Sequence, residues 1–443
     1  MNGSFDFLVI GDDEASLAAA GAAAKAGARI AVHRPSERKK RSPAATSAVP
    51  NFVWRRLDLQ DYDLTLEPVS ARVTLLKEGG PVTSYASARE TADALEAAES
   101  EDHFVWRDFL EDMAALCEEE YLTNALYCGE APGGRQFAAL LADPQLLDKA
   151  ARLFGPCADL LDDYFTDPRL KAHVAAHALS LAGSGPREAG SASALAEYIE
   201  ADAWRVRTPK EGPSLRAVLE RVCQDAGVEF TAEKITGVEP ASGKQLTVTF
   251  ANDARIKVKH VFFATPDAAA AAGTGGGAMN GLGYARHALF SMRFRLADGI
   301  EPPGGDVKAL YEIIDSAEDL QKARDAAVEG RLYEQLPVEF EFAPNGELIA
   351  RSSYMPAAFY EDGEWRGWTG QDRQAAAALI RERLSSRMPG FASHIRRFEA
   401  EVAAPPAGPS PFAGCDRVIV QSRRHDAIGA AVKLIDRVMT GDE

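Results

Sequence analysis

Short apolar runs flank an alanine-rich segment at the start of the chain. Residues 5–10 form the strand-like run FDFLVI, which Gly11 interrupts. Residues 17–26 are rich in alanine, a strong helix former, and Gly27 ends that segment. Residues 29–32, RIAV, form a second strand-like run. A strand, a helix and a strand within about 30 residues predict a βαβ unit, which requires a parallel sheet.

Strand-like and helix-like patterns alternate along the rest of the chain. Residues 52–85 alternate apolar and polar positions and predict antiparallel strands, whereas residues 88–127 and 136–180 have a helical pattern. A low-complexity segment at 268–283 predicts a loop. Further helices are predicted at 214–226, 318–328, 371–386 and 427–439, and further strands at 228–238, 245–250, 257–265, 288–296, 337–355 and 417–421.

The composition narrows the class of protein. The chain has 443 residues, of which 46% are hydrophobic and 26% charged. At about 150 residues per domain, this length predicts two or three domains or one composite domain. Five cysteines, an odd number without a C-x-x-C pair, exclude a disulfide framework and a cysteine-rich zinc module.

Charge and hydropathy indicate the kind of partner and the cellular location of the protein. The formal net charge of the chain is −17, and it repels the phosphate backbone of nucleic acids. Nucleic acid is therefore not an expected partner. No segment approaches the roughly 18 uninterrupted apolar residues of a transmembrane helix. The N-terminus lacks the basic and apolar regions of a signal peptide. We therefore expect a cytoplasmic protein without a transmembrane segment.

The turn after the first predicted strand is where a dinucleotide usually binds. That turn normally reads G-x-G-x-x-G, and an acidic residue at the end of the second strand binds the ribose. Only the first glycine, Gly11, is present here, while Asp13 and Ser16 occupy the other two glycine positions. His33 and Arg34 stand where the acidic residue is expected.

Two interpretations of this acidic turn are open. A carboxylate about 4 Å from a phosphate costs on the order of 4 kcal/mol at an effective dielectric constant of about 20. The helix dipole returns only about 1–2 kcal/mol. In the first interpretation, the carboxylates of Asp12, Asp13 and Glu14 cap the helix and interact favourably with its dipole, and no dinucleotide binds. In the second, a dinucleotide binds in spite of these carboxylates. Arg34 and the basic run 38–41 suit either a solvated loop or the 2′-phosphate of NADP.

Several later segments follow one another in an order that is typical of one protein family. They are residues 75–80, 87–91, 167–172, 183–186, 213–230, 262–267, 311–342, 363–365 and 388–391. With the N-terminal βαβ unit, they resemble the phytoene desaturase-like FAD-dependent oxidoreductases, most closely the branch named for pyridine nucleotide-disulfide oxidoreductase domain 2. The resemblance implies an α/β fold, FAD as cofactor and a hydrophobic substrate.

The resemblance also implies two domains built from discontinuous segments. Residues 1–59, 206–283 and 406–443 would form a Rossmann-like FAD/NAD(P)-binding-type domain. Residues 60–205 and 284–405 would form a mixed antiparallel-sheet and helix substrate-type domain.

The chain departs from this family at four elements that contact the flavin. The glycine turn and the ribose acid are altered, and the family's Gly-Gly pair is absent from residues 34–53. The sequence PKEGP at 209–213 replaces a Gly-Gly-Met-Gly turn, and the last strand runs into VQSRRH at 420–425. The positions that match the family's cofactor motifs are Gly11, Asp13, Ser16, His33, Arg34, Gly429 and Ala430. We therefore expect a degenerate, shortened member that binds no cofactor, or FAD if any.

Three functions are compatible with these departures. The first is a non-catalytic partner or regulatory subunit in a homo- or hetero-oligomer, with a flavin-holding relative as one candidate partner. The second is an active FAD-dependent desaturase or dehydrogenase that acts on a hydrophobic substrate. The third is a binding module for a lipid or isoprenoid. No catalytic residue is assigned.

Two other groups of residues were considered as sites. His173 and His177 have the i, i+4 spacing of metal ligands, but no third ligand is evident, and two ordinary helix histidines fit as well. Trp204, Trp365 and Trp368 fall in segments that border the family's substrate region, or they are packing residues. No G-x-S-x-G elbow or P-loop occurs in the chain.

Overall fold

The computed structural model describes most of the chain. The described residues are 3–34, 46–47, 49, 51–117, 142, 144–180, 183–195, 206–207, 212–241, 245–264, 287–297, 300–343, 346–403, 418–420, 431–432, 434–435 and 439. The helices are α1 (Glu14–Lys25), α2 (Asn51–Leu57), α3 (Ala88–Ala97), α4 (Trp106–Cys117), α5 (Pro144–Leu153), α6 (Cys157–Tyr164), α7 (Pro168–Leu179), α8 (Leu215–Asp225), α9 (Ala317–Val328), α10 (Gly370–Arg387) and α11 (Phe391–His394), and short 3₁₀ helices lie at Leu59–Tyr62 and Glu101–His103.

The strands form two large sheets, one small sheet and a hairpin. They are β1 (Ser4–Ile10), β2 (Ile30–His33), β3 (Thr46–Ser47), β4 (Glu67–Pro68), β5 (Arg72–Leu75), β6 (Val82–Ser84), β7 (Val206–Arg207), β8 (Glu229–Thr231), β9 (Ile235–Ala241), β10 (Gln245–Phe250), β11 (Arg255–Phe263), β12 (His287–Leu296), β13 (Leu310–Ile313), β14 (Val338–Phe342), β15 (Glu347–Pro356), β16 (Phe359–Glu361), β17 (Glu364–Arg366), β18 (Ile395–Ala403) and β19 (Val418–Val420).

The first sheet contains the N-terminal βαβ unit. Its strand order is β8-β2-β1-β11-β10-β9, and β19 pairs with the second half of β11. β8, β2, β1, β11 and β19 run parallel, whereas β9 and β10 add an antiparallel edge. The predicted βαβ unit and parallel sheet are therefore confirmed.

Both faces of this parallel sheet are buried, as its continuous apolar runs require. Alternate residues of β1 enter different cores because strand side chains point to opposite faces. Phe7 and Val9 pack with residues of α1 and α8, and Leu8 and Ile10 pack with the apolar side of β10.

The second sheet is mainly antiparallel. Its order is β18-β12-β15-β14-β13-β5-β6, and only β5 and β13 pair in parallel. One face carries an apolar cluster that includes Tyr311 and Phe340, whose rings stack with centroids 4.9 Å apart. The short strands β3, β7 and β4 form a separate small sheet, and β16 and β17 form an isolated hairpin.

The strands of each large sheet come from distant parts of the chain. Every described strand of the first sheet lies within 1–59, 206–283 or 406–443, and every described strand of the second lies within 60–205 or 284–405. The boundaries of the two domains stay a prediction. Within the described residues, no helix combines the length and apolar character that a membrane span needs.

Local capping explains where the predicted helices begin and end. Ser214 caps α8 by accepting a hydrogen bond from the amide of Ala217, and Gly227 follows the helix with a φ of +77°. Asp167 caps α7, and Pro168 occupies its first turn, where the missing N–H costs nothing. The helices predicted at 214–226, 318–328 and 371–386 are confirmed.

The prediction of antiparallel strands throughout residues 52–85 is wrong in its first part. Residues Asn51–Leu57 form α2, a 3₁₀ helix follows, and the strands begin only at β4. Val53 and Leu57 are spaced i, i+4 and are both buried in the core shared with α1, so a helical period governs this segment. The strand structure predicted at 337–355 is confirmed and consists of two antiparallel strands, β14 and β15, before and after Gly346.

Candidate functional site

The acidic turn lies at the N-terminus of α1. Asp13 is the N-cap residue, and its Oδ1 accepts a hydrogen bond of 2.9 Å from the amide of Ser16. Its backbone carbonyl accepts from the amide of Leu17 at 3.0 Å. The carboxylate that replaces the second glycine of the dinucleotide motif thus uses an amide at the helix end where a phosphate normally binds. The interpretation of an acidic residue here as a helix cap is confirmed for Asp13.

Gly11 is required by the turn itself. Its φ of +133° is rare for residues with a side chain. A Cβ at Gly11 would lie 2.4 Å from Ser16 Oγ and 3.1 Å from Asp13 Oδ2. Its amide donates to the carbonyl of His33 at 3.1 Å, which ties the end of β1 to the end of β2. The backbone conformation and the close packing of the turn therefore explain the glycine at position 11 without any ligand.

Ion pairs link this turn to the helix α8. Arg216, in the first turn of α8, contacts Asp12 at 2.7 Å and Glu220 at 3.4 Å. Burial alone would lower the pKa of Arg216, but pairing with Asp12 and Glu220 raises it overall. The arginine therefore neutralises charges of this chain rather than presenting its charge to a ligand.

The end of β2 is also occupied by internal contacts. His33 is buried, its Nε2 lies 2.9 Å from the carbonyl of Glu233, and burial lowers its pKa despite that bond. Arg34 lies over the ring of Phe230 at 4.1 Å and contacts Glu220 at 3.3 Å. His33 is uncharged near neutral pH and Arg34 is paired with Glu220, so the described residues of this edge hold no cation reserved for a phosphate.

Two buried polar atoms near the turn lack hydrogen-bond partners among the described residues. They are Ser16 Oγ and His33 Nδ1; Nε and Nη2 of Arg34 are buried without a hydrogen bond as well, but that Nη2 lies 3.3 Å from Glu220 Oε1. Because Nε2 of His33 donates to a carbonyl, its Nδ1 is a neutral acceptor. The serine and histidine atoms bring no positive charge, and the guanidinium of Arg34 is paired with Glu220, so these groups do not offset the repulsion between Asp13 and a pyrophosphate. The described residues of this turn do not fit FAD in the way the G-x-G-x-x-G motif does.

The structure brings together five of the seven residues predicted for the cofactor site. Gly11, Asp13 and Ser16 form the turn, and His33 and Arg34 end the neighbouring strand. The other two, Gly429 and Ala430, lie outside the described residues. So do the basic run 38–41, most of the 209–213 turn, the loop 268–283 and Trp204.

The pair of histidines on α7 is structural. His173 is fully buried, and its two ring nitrogens lie 2.8 Å from Thr74 Oγ1 and 2.8 Å from Ser84 Oγ. The rings of His173 and His177 meet edge to face at 4.9 Å. In the portion of the chain that the structure covers, no three metal-ligating side chains come together.

The two described tryptophans of the predicted substrate region differ in their environment. Trp368 packs on Phe290 at 5.8 Å and donates its indole N–H to the carbonyl of Pro356 at 2.8 Å. Trp365 is exposed on the β16–β17 hairpin. Trp368 is therefore a packing residue, whereas Trp365 lies at the surface.

The second sheet contains a buried layer of charges that was not predicted from the sequence. Register pairs place five charged residues on one face, and all five are buried: Arg72, Glu312, Glu339, Glu341 and Arg351. Arg351 Nε lies 2.9 Å from Glu339 Oε1, and its Nη2 also contacts Glu341. The alternating sequence VEFEF in β14 is the one local signal of this layer. The same alternation is equally typical of a strand with one solvent-exposed face.

Comparisons with known proteins show the fold. No protein-family model matches the chain, and no curated protein matches it. Many solved structures match, and three of those with a TM-score of 0.50 match across the whole chain. Putrescine oxidase bound to putrescine is 12% identical and covers 100% of both chains, and cyclohexylamine oxidase from Brevibacterium oxydans is 14% identical over 99% of both. A Rab GDI from Plasmodium falciparum is 9% identical over 99% of both chains.

At these identities the likeness concerns the fold alone. The chain has the mixed α/β architecture of FAD-binding oxidoreductases, with a parallel sheet and a mainly antiparallel sheet. The predicted fold class is confirmed.

Removing the cap at the turn should destabilise the protein measurably. We expect Asp13→Ala to lower the free energy of unfolding by about 1 kcal/mol, since the amide of Ser16 loses its acceptor. Asp13→Asn keeps an acceptor oxygen and should cost clearly less. Urea unfolding of the two variants checks this, and equal losses would contradict a capping role.

Proposed function

We propose that this protein is a non-catalytic, degenerate member of the flavin-oxidoreductase fold. It acts as a partner or regulatory subunit, and a flavin-holding relative is one candidate partner. The observation that carries the proposal is that Asp13 caps α1 at the place where this fold normally binds a pyrophosphate. The fold itself does not decide the question, because two oxidases and a Rab GDI have it.

Electrostatics support the loss of the cofactor. A phosphate about 4 Å from the Asp13 carboxylate would cost on the order of 4 kcal/mol at an effective dielectric constant of about 20. Releasing Asp13 from its cap would cost about 1 kcal/mol more. The helix dipole supplies up to about 2 kcal/mol toward an anion. The repulsion therefore exceeds the attraction by a few kcal/mol.

The chemistry of the fold makes this loss decisive for activity. In flavin enzymes the flavin carries the redox chemistry, and the protein binds and orients it. None of the described side chains at the turn forms a nucleophile–base pair of the kind that drives hydrolysis or acyl transfer. Without flavin, the site is left with a scaffold role.

The expected result of the first experiment is a colourless protein. Purified protein, incubated with excess FAD and desalted, should keep no absorbance band at about 450 nm, because the turn repels the pyrophosphate. A flavoprotein amine oxidase stripped of FAD and reloaded by the same procedure serves as the positive control. Stoichiometric flavin in the desalted protein would overturn the proposal and favour an active oxidoreductase.

A charge variant separates repulsion from loss of the cleft. Asp13→Asn keeps the cap but removes the charge, so it should strengthen any residual FAD binding at least tenfold, which corresponds to about 1.4 kcal/mol. The matched control is Glu78→Gln, which removes an exposed charge between β5 and β6. Equal FAD affinity in both variants would show that repulsion at the turn is not what excludes FAD.

A further inference from the structure

The β16–β17 hairpin presents a pair of aromatic rings to solvent. Tyr360 and Trp365 are directly opposite each other in the hairpin, and their ring centroids are 5.2 Å apart. Trp365 is 58% exposed and Tyr360 is 50% exposed. Tryptophan and tyrosine are the side chains most enriched at the energetic centres of protein interfaces. An exposed pair of them in contact therefore suggests a contact surface.

The opposite side of the hairpin anchors it to the protein. Phe359 is buried and meets Trp368 edge to face at 5.1 Å. The guanidinium of Arg366 lies over the Phe359 ring at 4.9 Å and is tied to Asp372 at 2.6 Å. The hairpin is thus held in place from below.

The loop after α9 supports the rings directly. The amide of Tyr360 donates to the carbonyl of Gly330 at 3.3 Å. A Cβ at Gly330 would lie only 2.8 Å from Cζ3 of Trp365, so the indole rests on the glycine backbone. Rings that are already fixed lose little conformational entropy when a partner binds.

The charge around the rings is negative. Residues 359–372 contain four acidic residues and one arginine, Arg366, which pairs with both Glu361 and Asp372. Asp362 and Glu364 have no cationic side chain within 4.0 Å among the described residues. Two carboxylates are therefore available beside the exposed aromatic pair, on a chain whose net charge is −17.

We propose that the Tyr360–Trp365 hairpin is the docking site for an arginine-containing segment of a partner protein. A guanidinium stacks on an indole face within about 6 Å of the ring and donates paired hydrogen bonds to a carboxylate. Trp365 supplies the face, and Asp362 and Glu364 supply the carboxylates. The inference names the kind of partner that the proposed function requires and rests on that function only for its biological role.

The test uses the full-length protein and a fluorescein-labelled peptide of alternating glycine and arginine. Its binding is followed by fluorescence anisotropy at low and high salt, and a peptide of alternating glycine and glutamine is the uncharged comparison. Trp365→Ala should weaken binding of the arginine peptide about tenfold, as the loss of a cation–π contact and its buried area implies. Asp362→Asn with Glu364→Gln should weaken binding several-fold, and that difference should shrink at high salt.

Two matched controls separate this surface from the general acidity of the chain. Phe104→Ala removes another exposed ring, which is 77% exposed on the loop before α4. Glu78→Gln with Asp253→Asn removes two exposed charges elsewhere. Both should bind the arginine peptide within about twofold of wild type.

Several results would overturn the proposal. They are unchanged binding in Trp365→Ala, equal losses in the two charge variants, or equal binding of the glutamine peptide. The proposal would also be overturned if the protein bound anionic lipid vesicles through Trp365 and did not bind the arginine peptide. The thermal midpoint of each variant should match wild type because the substituted side chains are exposed. Flavin retention decides the proposed function independently, so the two failures can be told apart.

Discussion

Replacing Arg351 with leucine is expected to lower the free energy of unfolding by about 3–5 kcal/mol. Arg351 is buried on β15, where it contacts Glu339 at 2.9 Å and also Glu341 on the neighbouring strand. Burial opposes the charge of Arg351, but the carboxylates of Glu341, Glu339 and Glu312 raise its pKa overall. Leucine would leave these carboxylates buried with one cation fewer. Urea unfolding followed by circular dichroism measures the loss.

A compensating variant tests whether charge imbalance causes that loss. Adding Glu339→Gln and Glu341→Gln to Arg351→Leu removes the two carboxylates that the arginine contacts. The triple variant should recover a large part of the stability, because amides cost far less to bury than unpaired carboxylates. If it is no more stable than Arg351→Leu, packing of the arginine stem, and not its charge, explains the effect.

The fold was predictable where local signals agree with tertiary packing. The βαβ unit combines a parallel-strand pattern with an alanine-rich helix, and the structure keeps each of those elements. Helix α8 is similar, since Ser214 and Gly227 mark its ends as predicted. Helix α2 was missed because its buried pair Val53 and Leu57 lies in a segment whose other residues alternate as in a strand.

The candidate site was predictable in part. The turn of Gly11, Asp13 and Ser16 is recognisable because its residues are adjacent in sequence, and the capping role of Asp13 follows from known helix preferences. The pairing of Asp12 with Arg216 was not predictable, because the two residues are 204 positions apart. The buried charges had the same difficulty, since Arg72 and Arg351 meet the acidic residues of β13 and β14 only through the register of the sheet.

The acidic turn and the second sheet share one feature: their charged side chains pair with each other. At the turn, Arg216 forms ion pairs with Asp12 and Glu220, and on the second sheet Arg351 forms ion pairs with Glu339 and Glu341. Charges that pair internally cost less than charges held ready for a ligand, which must stay desolvated and unpaired. Both arrangements favour a stable scaffold over a site poised for chemistry, in agreement with the proposed function.

The second large effect concerns pH and His173. This ring is fully buried between Thr74 and Ser84, and burial together with the charge of Arg72 lowers its pKa to about 3. The unfolded chain has a histidine pKa of about 6.5. Between these values the unfolded state binds one proton more than the folded state, so stability falls as the pH decreases from about 6.5 toward 3. At pH 4.5 this single group should cost about 2.7 kcal/mol.

His173→Gln isolates that contribution from the many carboxylates that titrate in the same range. Glutamine can still hydrogen-bond to Thr74 and Ser84 but cannot take up a proton. We expect the variant to be less stable than wild type at pH 7.5, because an amide fits the two hydroxyls less well than an imidazole. The deficit should shrink by about 2–3 kcal/mol on going to pH 4.5, since wild type alone loses stability through this group. Urea unfolding across this range measures the difference, and a gap that stays constant with pH would show that His173 has the same pKa in the folded and the unfolded protein.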